Sequence, residues 1–82
     1  MKRLNVVCYN GEGVELFDMC AGHVDICDSY TVIYSNTYKE SQTEKEIIRF
    51  TKSLSSVNVV IGTMTAYFID NSYLVITTPQ SK

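Results

Sequence analysis

The chain predicts an α+β fold: a mainly antiparallel sheet of about five strands with one helix packed on part of one face, in the order β-β-β-α-β-β. Three observations carry this. Short β-branched and aromatic runs recur along the chain, turn residues separate them, and one amphipathic stretch near the middle carries a capping signal. With 82 residues, 45% hydrophobic and 20% charged, the chain has the balance of one folded domain spanning 1–82.

Residues 3–9 read as a strand, and Asn10-Gly11-Glu12-Gly13 as a turn, because Asn and Gly tolerate positive φ. Residues 14–20 return as a second strand, broken by Ala21-Gly22. Residues 23–28 alternate in polarity and 30–35 are β-branched and aromatic, so both read as strand, either separately or as one bent strand. Ser41-Gln42-Thr43-Glu44 has the S-x-x-E pattern of a capping box. Ile47, Phe50, Thr51 and Leu54 follow at helical spacing, which predicts a helix over about 42–54. Residues 57–61 then read as a buried strand, Gly62 as a bend, and 63–69 and 73–78 as a hairpin around Asp70-Asn71-Ser72.

Both hairpins look apolar front and back. In the first, Leu4, Val6, Cys8, Phe17 and Met19 oppose Val7, Tyr9, Val14 and Leu16. In the last, Met64, Ala66, Phe68, Tyr73 and Val75 are expected on one face, and Tyr67, Ile69, Leu74 and Ile76 on the other. A thirteen-residue helix is about 20 Å long and 10 Å wide. It covers about half of one face of a sheet roughly 20 Å across. The rest must be covered by curling of the sheet, by a second copy, or by another protein.

Charge is unevenly placed. No Lys or Arg lies between Leu4 and Tyr38, whereas Glu12, Glu15, Asp18, Asp25 and Asp28 all fall there. A one-signed field repels nucleic acid and attracts basic partners. Six tyrosines in a short chain suit half-wet contact surfaces. Together these features predict a partner-binding surface made of Glu12, Glu15, Asp18, Asp25 and Asp28 with Tyr9, Tyr30 and Tyr34.

Other chemistry is thinly supported. Cys20, His23 and Cys27 have a C-x2-H-x3-C spacing that is one good ligand short of a zinc tetrahedron. A Cys/His nucleophile with Asp25 as orienting group lacks an oxyanion hole. Gly11-Glu12-Gly13 opens a strand rather than a helix, so it does not make a phosphate site. The sequence therefore predicts no enzyme and no cofactor. No apolar run is long enough to span a membrane, and the N-terminus lacks the pattern of a signal peptide. Three cysteines, an odd number, argue for a reduced, cytoplasmic setting.

The function expected is a small non-catalytic binding or regulatory protein acting by protein–protein contact. Its composition, rich in Phe, Tyr, Met, Ile, Asn and Lys, suits a phage-type inhibitor or adaptor that masks a basic surface on a host protein. The competing expectation is a homo-oligomer, a homodimer in its simplest form, that buries its second sheet face by self-association. A metal protein using Cys20, His23 and Cys27 is the remote one.

Overall fold

The computed structural model describes residues 4–34 and 46–78. They form eight strands joined by turns: β1 (Leu4–Tyr9), β2 (Glu15–Ala21), β3 (His23–Ile26), β4 (Thr31–Tyr34), β5 (Glu46–Phe50), β6 (Leu54–Val60), β7 (Thr63–Phe68) and β8 (Tyr73–Thr77). They form two antiparallel sheets, one ordered β2-β1-β8-β7-β6 and the other β3-β4-β5. The domain is all-β among the described residues, which corrects the α+β expectation.

The expected helix is the main error. Residues 46–50 form a strand paired to β4, and Leu54 opens β6. Residues 41–45, which hold the capping-box pattern, lie outside the described residues. The physical reason is an ambiguity of period. Ile47, Phe50, Thr51 and Leu54 fit a helix face, but Ile48 and Phe50 fit a strand face equally well, and Ile47-Ile48 favours extended backbone. Tertiary context decides. Thr31, Val32 and Ile33 of β4 are all buried, and β4 reaches that state flanked by β3 and β5.

The lid over the larger sheet is thus a second sheet. Val6, Cys8, Ala66, Phe68, Leu74 and Ile76 from the larger sheet and Ile33 from the smaller one form a single core cluster. Val24, Ile26, Ile48 and Phe50 pack against it from the smaller sheet. Phe50 bridges the layers, with its ring 6.0 Å from Phe17 and 6.4 Å from Phe68. The core face of the first hairpin is the predicted one.

The last hairpin differs. Ala66 pairs with Leu74 and Met64 with Ile76. Leu74 and Ile76 therefore share the core face with Met64, Ala66 and Phe68, while Tyr73 and Val75 join Tyr67 outside. The turn sets this register, and a one-residue slip moves every side chain of the returning strand to the other face. Here Phe68 N–H donates to the Ser72 carbonyl at 2.9 Å, and Asn71 takes φ of 74°.

The chain changes sheets at two corners. Gly22 separates β2 from β3, and its N–H donates to the Tyr34 carbonyl at 3.0 Å. The segments read as 23–28 and 30–35 are two separate strands of a hairpin, since β3 and β4 pair antiparallel and the Cys27 N–H donates to the Tyr30 carbonyl at 2.9 Å. Residues 51–53 separate β5 from β6, and the Leu54 N–H is anchored on the Asp28 carbonyl at 2.8 Å. Residues 57–61 read as a buried strand, yet all five are exposed, because β6, which holds residues 57–60, is the sheet's edge.

Candidate functional site

An antiparallel ladder places residues that face each other across neighbouring strands on the same side of the sheet. On the outer side of the larger sheet this builds one row from Glu15, Tyr9, Tyr73, Tyr67 and Ser56. The next row holds Asp18, Val7, Val75, Thr65 and Asn58. Three tyrosines from β1, β8 and β7 thus stand side by side. Tyr9 and Tyr73 stack with centroids 4.8 Å apart and planes 19° apart, and Tyr67 leans on Tyr73 at 5.9 Å and 41°. At about 4.8 Å per strand, the three rings cover a strip roughly 10 Å wide.

Two acids border this strip. Glu15 lies directly across from Tyr9, and Asp18 lies across from Val7 one row on. Both are exposed. None of the described residues on this face is Lys or Arg.

The turns at one end of the face support it. Asn10 accepts at Oδ1 from the N–H groups of Glu12 and Val14, at 2.8 and 3.0 Å, which fixes the β1–β2 turn. Gly13 supplies a φ of 83° there. Gly11 lets this turn lie against the β7–β8 turn, since a methyl group in its place would stand 3.1 Å from the Asp70 carbonyl oxygen. Asp70 in turn accepts from the Ser72 N–H and hydroxyl and from Lys52, whose Nζ is 3.1 Å away. The Ser72 hydrogen bonds, aided by Lys52, hold the Asp70 carboxyl at about 2, below its ordinary value. Lys52 Nζ also lies 5.8 Å from the ring centres of both Phe50 and Phe68.

The predicted binding residues do not form one surface. Tyr9, Glu15 and Asp18 share the face just described, with Glu12 in the turn at its end. Asp25 and Tyr34 lie on the outer side of the smaller sheet, across the shared core. There His23 contacts Asp25 at 2.9 Å and rests against the Tyr34 ring at 5.5 Å. Tyr30 and Asp28 belong to the β3–β4 turn. Arg49 lies over the Tyr30 ring at 5.6 Å, and Cys27 raises the Tyr30 phenol above its ordinary value, chiefly by a side-chain hydrogen bond.

Sequence reading missed Tyr67 and Tyr73 as surface partners of Tyr9. The usable signal was parity across the Asp70-Asn71-Ser72 turn.

The metal reading loses its geometry. His23 pairs with Asp25, Cys20 is exposed on the larger sheet, and no group of three or more His, Cys, Asp or Glu converges among the described residues. Also among the described residues, no helix is long and apolar enough to cross a membrane.

Fold and face together define an all-β two-sheet domain with an aromatic, acid-bordered sheet surface. No protein-family model matches the chain, and neither a curated protein nor a solved structure matches it significantly.

Proposed function

We propose that this is a non-catalytic binding protein that docks the outer face of its five-stranded sheet on a basic protein surface and masks it, as an inhibitor or adaptor does. The observation that carries the reading is the Tyr9–Tyr73–Tyr67 row bordered by Glu15 and Asp18. Tyrosine faces attract Arg and Lys side chains, and each such contact is worth about 0.5–1 kcal/mol at an exposed site. Carboxylates at the margin pair with the same cations and steer the approach. A sheet face with exposed rings is also a way to stack nucleic-acid bases, but that mode needs cations for the phosphates. This face offers carboxylates instead, which favours a protein partner.

Free cysteines at 8, 20 and 27 suit a reducing, cytoplasmic setting. The absence of catalysis belongs to the same proposal. His23, the one histidine, is spent on an exposed contact with Asp25.

The test compares wild type with Tyr67→Ala and with the double variant Glu15→Lys, Asp18→Lys. An arginine-rich peptide serves as a defined probe, and capture from source-cell lysate is run in parallel. The reading expects binding that falls steeply with salt, weakens in Tyr67→Ala, and disappears on charge reversal. Binding that ignores salt and all three substitutions would rule the face out.

A further inference from the structure

Four strands among the described residues have a free edge: β2 and β6 in the larger sheet, β3 and β5 in the smaller. Three of them carry charge, with Glu15 and Asp18 on β2, Asp25 on β3, and Arg49 on β5. β6 reads LSSVNVV and carries none. Indeed no acidic or basic residue stands anywhere between Lys52 and Asp70. Charges, prolines and bulges are what keep a free edge from pairing with another chain. β6 has a bulge only at its Leu54/Ser56 end, and Ser56–Val60 run in regular register with β7.

The apolar layer also continues onto this strand instead of stopping short of it. Val57 pairs with Ala66 and Val59 with Met64, so both extend rows of the core face. They are nevertheless 42% and 67% exposed. Val59 borders an open hollow of about 340 Å³ whose far wall includes Val24 and Ile26.

We infer that β6 pairs antiparallel with β6 of a second copy about a two-fold axis, joining two five-stranded sheets into one. Charge is the argument for a second copy over a foreign strand. Symmetric pairing sets a strand against itself, so any charge near the axis meets its own sign. On β2 that operation would bring Asp18, at the middle of the strand, close to its own copy. On β6 nothing repels. A register centred on Asn58 sets Val57 against Val59 of the other copy and Asn58 against Asn58, apolar on apolar and amide on amide. The unpaired backbone groups of both edges are satisfied in the same step. This interface uses the edge of the sheet, so it stands or falls separately from the tyrosine face.

Sedimentation equilibrium tests it, run to concentrations on the order of 100 µM. Wild type is expected at twice 9.3 kDa. Val59→Lys is expected at 9.3 kDa with an unchanged circular dichroism spectrum, because the site is largely exposed. Asn58→Cys in a Cys20→Ser, Cys27→Ser background is expected to cross-link between copies on mild oxidation, and adding Val59→Lys is expected to abolish the cross-link. A wild type that stays at the monomer mass throughout overturns the inference. So does a dimer that survives both Val57→Lys and Val59→Lys, since another surface would then join the copies.

Discussion

Tyr9 and Tyr73 stack at 4.8 Å across two interior strands of the larger sheet, although they lie near opposite ends of the chain. This contact ties the candidate surface to the fold itself, because the rings align only when β1 and β8 are paired in register. An aromatic pair of this kind contributes about 0.5–1.5 kcal/mol beyond the area it buries. Tyr73→Leu is therefore expected to lower stability by about 1 kcal/mol in urea unfolding. Tyr67→Ala, at a more exposed ring, should cost less stability than Tyr73→Leu while still weakening binding. That split between folding and binding is the measurement to make.

The Asp70 carboxyl gives a pH dependence whose direction is fixed. Its folded value, about 2, is depressed from 3.8. A depressed acid contributes stability that is complete above the unfolded value and fades as pH falls through the folded one. Unfolding midpoints measured from pH 5 downward should thus decline between pH 3.8 and about 2. Asp70→Asn, which cannot ionise, should flatten that part of the profile. An unchanged profile in the variant would remove Asp70 as its cause.

Thr31 is fully buried beneath the smaller sheet, and its hydroxyl has no hydrogen-bond partner among the described residues. Desolvating an unpaired hydroxyl costs about 1–3 kcal/mol. Thr31→Val keeps the shape and the branching, so it is expected to raise stability by about 1 kcal/mol. Ile33→Ala, two residues away in the common core, should instead lower it by about 2–5 kcal/mol. Denaturant melts of the two variants should move in opposite directions.

The thiols should report the layers one by one. Cys20 is exposed, Cys27 half-buried and Cys8 buried, and burial pushes the Cys8 thiol above its ordinary value. A thiol reagent at neutral pH is expected to modify Cys20 first, Cys27 more slowly, and Cys8 only on unfolding. Mass mapping of the labelled sites over time checks the order. Early modification of Cys8 would contradict the core face assigned to β1.

Much of this architecture is legible in the residues, and the failures have identifiable causes. Asn10-Gly11-Glu12-Gly13 announced its turn because the backbone there needs positive φ and a side-chain acceptor. Leu4, Val6, Cys8, Phe17 and Met19 announced the core face because they alternate and turn chemistry pins their register. The stretch Glu46–Phe50 satisfied two periods at once, and only its place beside a buried β4 chose between them. The tyrosine row was hidden for a different reason. The Asp70-Asn71-Ser72 turn sets Tyr67 beside Tyr73, but Tyr9 joins them only through the pairing of β1 with β8 from opposite ends of the chain, and no local pattern carries that. Glu15 and Asp18 were legible as acids, but their separation from Asp25 required knowing that the chain changes sheets at Gly22.

The adjacency of β1 and β8 sets a condition on how the molecule is assembled. Neighbouring hairpins close short loops quickly, but this pairing closes a loop of nearly the whole chain before its contacts repay the lost freedom. Until it does, β1 has β2 on one flank and water on the other, and the greasy sides of both hairpins stay open together. The slow step and the moment of greatest exposure to aggregation should therefore coincide. Conditions that hasten the meeting of these two strands should improve the yield of refolding more than conditions that strengthen either hairpin alone.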